Sequence, residues 1–304
     1  IGNRKAEVFK GQYQDKIEEL LNKCLGHNVF LYVDPFGIKS LYFDRFEILR
    51  RYLFNSIELL LNLNSFGFLR EGCRLLKYKD FEEINIGFDE RESIEVVRTT
   101  NDIPNMDRVA NGDYWQRIVA DYNNGILDAF EAEEQFVQEY CKQLSGIFAA
   151  IINVPIKARR LKNMPKYRMV FGTNHKHGLI EMADNMMRRW KQMREAEQSG
   201  QQMLFEMDIN FRGEFVEFDY KKIILDLLNN EFVKFDDFIC NVVLKYGVLC
   251  EIGKIKENIK EMENSGQIEI IRTPEFTETG KPAKWIDWKF DNNKKKCMKL
   301  RLRP

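Results

Sequence analysis

The chain has 304 residues, 44% hydrophobic and 31% charged, an ordinary balance for a soluble protein with one large and one smaller domain. Its 47 basic and 47 acidic residues cancel, so a nucleic-acid contact has to come from a local patch and not from the overall field. No apolar run approaches the roughly 20 residues that span a bilayer, and the opening Ile1-Gly-Asn-Arg-Lys is not a signal peptide.

The six cysteines, at positions 24, 73, 141, 240, 250 and 297, are scattered without zinc-type spacing. They read as reduced, mostly buried thiols of a cytoplasmic protein. Three histidines are too few for a histidine-rich metal site, and no metal is expected.

In chain order, residues 6–10 suggest a short strand ending at Gly11. Ile17, Leu20, Leu21 and Cys24 then follow the i, i+3, i+4, i+7 spacing of an amphipathic helix. Val29, Phe30, Leu31, Tyr32 and Val33 run unbroken into Asp34-Pro35-Phe36-Gly37, which predicts a strand buried on both faces and closed by turn residues. Tyr42, Phe46, Leu49 and Leu53 mark a second helix, and residues 57–63 the next buried strand. This alternation argues for a doubly wound parallel sheet.

Residues 72–111 are polar and without a steady period, which reads as an insertion or long loop. A helix carries Ile126, Phe130, Val137, Tyr140 and Leu144 on one face. Strand-like runs at 147–154 and 167–172 follow, joined by a basic link with Arg159, Arg160, Lys162 and Lys166. A parallel crossover needs about a dozen residues or more, so an antiparallel pair is expected. Leu179, Met182, Met186, Trp190 and Met193 form a helical stripe, with the methionines as core filler. Residues 195–218 read as a linker or arm, part of it alternating like a strand.

From 219 to 304 the pattern changes. Three short amphipathic helices, marked by Ile223 to Leu228, Phe235 to Val242 and Ile252 to Met262, precede a strand at 268–272, a glycine-containing turn and a return through Trp285 to Trp288. That is the order of a winged helix, whose third helix would face a nucleic-acid groove. The third helix mixes Lys254, Lys256 and Lys260 with several glutamates, whereas Arg272, Lys281, Lys284 and the tail from Lys294 to Arg303 are more uniformly basic. Phosphate contact, protein contact and a solvated tail are all open from the charge pattern alone.

Tyr32-Val-Asp34-Pro35-Phe36-Gly37, Glu58 to Asn62 leading to Gly67 and Arg70, and Tyr167 to His175 followed by Gly178 to Met182 occur in an order that resembles the three-Cys-motif partner proteins. The similarity covers most of residues 6–194. It implies a Rossmann-like core of methyltransferase type at 1–194, its sheet ending in an antiparallel hairpin, with the winged helix behind it. It also implies S-adenosylmethionine as cofactor and, as partner, a three-cysteine-motif protein of iron–sulfur or radical type.

The resemblance assigns roles residue by residue. Asp34 and the Pro35 carbonyl would accept hydrogens from an exocyclic amine, and Phe36 would stack on a flipped base. The aromatic stands one position early, with Gly37 where the stacking ring usually is. Gln12 and Tyr13 fall where the cofactor's adenine is usually touched, or in an ordinary loop. Arg70, Arg159 and Arg160 join the basic residues of the winged helix as candidates for nucleic acid. Asn174-His-Lys-His177 reads as a helix cap with exposed histidines. The 304 residues contain no Gly-x-Gly, so the glycine-rich cofactor turn is expected either before Ile1 or in degenerate form. The alternative is a non-catalytic adaptor or DNA-binding protein built on such a degenerate core.

Overall fold

The structure is a computed structural model that describes residues 8–11, 13–35, 41–81, 102–157, 165–198, 216–288 and 296–303. The chain is mixed α/β and divides into two compact units, Ile1–Ala149 with Pro155–Val170, and Ala150–Val154 with Phe171–Pro304. Residues 8–10, expected to be strand, have no regular structure.

In the first unit, helix α1 (Tyr13–Lys23) buries Ile17 and Leu21, as its spacing predicts. Strand β1 (Asn28–Val33) lies parallel to β2 (Ser56–Leu63), with Val33 opposite Leu61. The strand order is β1-β2-β4-β3, where β3 is Ala150–Lys157 and β4 is Pro165–Thr173. Only seven residues separate β3 from β4, too few for a parallel crossover, so this pair is antiparallel and the sheet is mixed.

This order corrects the expectation for β1. It is an edge strand among the described residues, not a central one, and Phe30 and Tyr32 are each 52% exposed. One face, Leu31 with Leu59 and Val33 with Leu61, turns toward the core. The other, Phe30 with Glu58 and Tyr32 with Leu60, is open. An unbroken apolar run carries no information about how many neighbours a strand has, which is why the sequence misled. Pro155 sits inside β3 and does not end it. β3 is the other edge of the sheet, where a residue without an N–H is tolerated.

The stretch read as a loop from 72 to 111 is partly helical. Helix α2 (Asp44–Glu47, continued by a 3-10 turn to Arg51) comes before it, α3 (Ser65–Leu75) runs into it, and among the described residues α4 (Ile103–Ala110) lies within it and α5 (Tyr114–Asn123) follows. Asp102 caps α4 by accepting from the Asn105 N–H at 2.9 Å, and its few apolar residues, Met106, Val109 and Ala110, are wholly buried. A helix of two turns offers too few apolar positions for a period to show. Helix α6 (Ala129–Leu144) starts three residues later than Ile126 suggested, because Asp128 and Glu131 form a capping box that fixes its first turn. Phe68, Trp115 and Phe136 pack together, with Phe68 stacked on Phe136 at 4.4 Å and edge-on to Trp115 at 5.9 Å.

One polar cluster sits inside this core. Arg168 of β4 donates to Glu133 of α6 through Nε at 3.0 Å and Nη2 at 2.6 Å, and both side chains are almost completely buried. Ser65, the first residue of α3, donates its hydroxyl to the same carboxylate at 2.5 Å.

The second unit contains α7 (Lys176–Gln198), whose Leu179, Met186 and Trp190 are buried as the predicted stripe requires; Met182 of that stripe is half-buried, and Ile180, outside it, is buried too. Residues 199–215, most of the expected linker, lie outside the described residues, and 216–219 have no regular structure. There follow α8 (Tyr220–Leu227), the short β5 (Val233–Lys234), α9 (Phe235–Tyr246), α10 (Ile252–Asn264), β6 (Ile268–Thr273) and β7 (Cys297–Leu302). The three strands form an antiparallel sheet in the order β5-β7-β6.

The return strand is therefore β7 and not residues 285–288, which have no regular structure. Part of the basic tail is the middle of a sheet. Met298 and Leu300 point inward and are buried, while Lys299 and Arg301 alternate outward.

Deleting one member of a buried ion pair leaves an uncompensated charge, at a cost of about 3–5 kcal/mol. Arg168→Met or Glu133→Leu alone should lower the unfolding free energy measured by urea titration by that amount, and the double apolar variant should recover most of it. A double variant no more stable than the singles would contradict this account.

Candidate functional site

The carboxyl ends of β1 and β2 bring Asp34 and Asn62 together. In a parallel pair, residues one step beyond Val33 and Leu61 remain neighbours, and Asn62 Nδ2 donates to Asp34 Oδ1 at 2.8 Å. The reverse orientation of the amide would set two acceptors face to face, so Asp34 fixes which way Asn62 points. Asp34 is exposed, and its second oxygen has no partner among the described residues. Asn62 Oδ1 is shielded from solvent and accepts no hydrogen bond among the described residues. Pro35 offers only a carbonyl, since it has no N–H.

The end of β2 is held by the turn that follows it. Asn64 caps α3 by accepting from the Gly67 N–H at 2.8 Å. A Cβ at Gly67 would fall 2.6 Å from Asn64 Oδ1, so glycine is what lets this cap close. Ser65 is then pinned to Glu133 in the core. Sequence reasoning found Asp34 and Asn62 but missed Ser65, Glu133 and Arg168, which hold them from behind. A glutamate on the buried face of α6, between Phe130 and Phe136, was the available signal.

Arg70 lies on α3, half-buried and without a hydrogen-bond or ion-pair partner among the described residues. Gln12, Phe36, Gly37, Arg159 and Arg160 lie outside the described residues, as does the side chain of Tyr13, which opens α1.

In the second unit the candidate basic residues divide into engaged and open. Lys254 is 3.3 Å from Glu251. Lys256 lies 3.8 Å from Asp287 and 3.8 Å above the Trp288 ring. Arg272 is buried, donating to both oxygens of Glu263 at 2.6 and 2.8 Å and to the Trp285 carbonyl at 2.8 Å. Its guanidinium ties β6 to α10 and to the segment beyond β6. Lys260, Lys281 and Lys284 are exposed and have no ion pair among the described residues.

His175 and His177 meet edge-on at 5.5 Å at the start of α7, where Lys176 pairs with Asp237 and His177 lies 3.6 Å from Asp236 of α9. Among the described residues no cluster of three or more His, Cys, Asp or Glu could hold a metal ion. This cluster joins α7 to α9, and the hydrogen bond that Lys176 donates to the Asp237 carboxylate holds its ammonium above its ordinary pKa. Beneath it, Cys240 donates its thiol to the Lys176 carbonyl at 3.7 Å. Burial pushes the Cys240 thiol up to about 11, and does the same to Cys73. A broad depression of about 550 Å³ is lined by Glu217, Phe218, Asp219, Tyr220, Lys221 and Asn258.

No helix among the described residues is long and apolar enough to cross a membrane. Comparison with protein-family models, with curated proteins and with solved structures finds no match for this chain.

The two buried thiols carry a pH signature. Their folded values of about 11 stand above the ordinary 9.0, so the stability they contribute is complete below pH 9 and lost as pH rises through 11. Urea midpoints should fall between pH 8 and pH 10.5 by more in the parent chain than in a Cys73→Val, Cys240→Val variant. Identical slopes would show that neither thiol resists ionisation.

Proposed function

We propose that this chain is a methyltransferase-like protein acting on nucleic acid, in which Asp34 receives an exocyclic amine at the carboxyl end of β1. The observation that carries this reading is the Asp34–Asn62 pair at the ends of two parallel strands in a sheet that finishes in an antiparallel hairpin. Ligand chemistry in open α/β sheets gathers outside the carboxyl ends of the strands. One Asp34 oxygen is engaged by Asn62. The other, with the Pro35 carbonyl, is left to accept the two hydrogens of an amino group, and holding both orients the nitrogen.

The described residues do not fit S-adenosylmethionine. They provide no glycine-rich cradle, and no Gly-x-Gly occurs in the 304 residues. We derive no methyl-transfer step, and the group that acts on the amine belongs to the proposal only through the resemblance. The same holds for the partner, a three-cysteine-motif protein of iron–sulfur or radical type.

The second unit supports a winged-helix reading, since its helix–strand–helix–helix–strand–strand order and its β5-β7-β6 sheet are those of that module. Six free cysteines support a reducing, cytoplasmic setting. The alternative reading, a non-catalytic adaptor that uses the same strand ends to hold a base or a partner, requires no cofactor.

Single strands carrying adenine or cytosine, compared by fluorescence anisotropy with the same strands carrying purine or 2-pyrimidinone, test the amine contact. The amine-bearing strands should bind about tenfold tighter, the ~1.4 kcal/mol of a charge-assisted hydrogen bond. Asp34→Ala should erase that preference while general strand binding remains. Equal binding of all strands by the parent chain would remove the proposed role of Asp34.

A further inference from the structure

The outward face of the three-stranded sheet carries two lysines in direct opposition. In the antiparallel register of β5 and β7, Lys234 stands across from Lys299. Both are exposed, and neither has a hydrogen bond or ion pair among the described residues. Side chains directly opposite on an antiparallel pair have Cβ atoms roughly 4.5–5.5 Å apart, and like charges placed so are destabilising.

Among the described residues of the sheet, no carboxylate stands beside them in register to compensate. On its other side Lys299 faces Ile271 of β6, which is 40% exposed. The nearest carboxylate in register is Glu269, and it is held by Arg301 at 2.7 and 2.9 Å. Lysine on an edge strand is a common guard against edge-to-edge pairing, which would account for Lys234. It does not account for Lys299, which lies on the central strand with both edges paired.

The face usually offered to nucleic acid by such a module is the weaker candidate here. On α10, Lys254, Lys256 and Lys260 are matched by Glu257, Glu261 and Glu263, and two of the three lysines are engaged with Glu251, Asp287 and Trp288.

We infer that Lys234 and Lys299 form a phosphate clamp for the backbone of a nucleic-acid duplex, so that the second unit binds through its sheet and not through α10. The inference rests on the nucleic-acid part of the proposed function. Two adjacent ammonium groups act as point charges on one or two neighbouring phosphates, and the bound anion removes their mutual repulsion. Contacts of this kind set position and affinity and carry no base sequence.

The test uses the full chain and a labelled 20-base-pair DNA duplex of mixed sequence, with Kd measured by anisotropy over a salt series. Lys299→Gln should raise Kd about tenfold and make the slope of log K against log salt shallower by about one. Lys234→Glu should weaken binding at least as much while raising Tm, because Glu would face Lys299 and sit at the start of α9, where a negative charge is favoured. A gain in Tm with a loss of binding separates the clamp from a folding defect. Unchanged Kd in both variants, or a greater loss from Lys260→Glu, would overturn the clamp and leave nucleic-acid binding to another surface. No binding by the parent chain would overturn both.

Discussion

The ion pair between Arg168 and Glu133 is the constraint on which the first unit depends. It is buried at both ends, so water cannot relieve either charge, and the hydrogen bonds from Arg168 Nε and Nη2 fix β4 against α6. The Ser65 hydroxyl extends the same carboxylate to the start of α3. From Ser65 the constraint passes through Asn64, whose cap sets how α3 leaves β2, to Asn62 and so to Asp34. A core held by apolar packing alone would tolerate small slips of α3 along β2. A carboxylate that needs both Arg168 and Ser65 at hydrogen-bonding distance does not.

The second unit distributes its charges differently. Two of its arginines are taken up by carboxylates: buried Arg272 forks onto both oxygens of Glu263, and half-exposed Arg301 closes on one oxygen of Glu269. Several lysines stay at the surface. With net charge zero, the molecule has no long-range field to gather a polyanion, and attraction has to come from lysines whose neighbours do not cancel them. Whether a basic residue is available is thus decided by its partner, which charge counting along the sequence does not reveal.

The parts of the fold legible in the sequence were those with one dominant period. The stripes of α6, α7, α9 and α10, the β2 run and the end of β1 at Asp34 needed only local spacing. What was missed required knowledge of neighbours. Phe30 and Tyr32 look like core until β1 proves to be an edge. Met298 and Leu300 were hidden because their alternating partners are lysines and arginines, so a strand looked like a charged tail. Glu133 and Arg168 are 35 positions apart, and nothing local announces that two charges will be buried together. Asp34 could be singled out because a strand end is marked by its own turn residues, while its support from Asn62 depends on the register of two strands.

The central claim is that the Asp34 carboxylate is the working acceptor of this molecule. Carbon-13 NMR of protein labelled at aspartate carboxyls, titrated with adenosine or cytidine and with their amine-lacking analogues, addresses it directly. The Asp34 resonance should move saturably with at least one of the amine-bearing nucleosides and stay in place with the analogues. A resonance unmoved by any of them, or moved equally by all, would contradict the account.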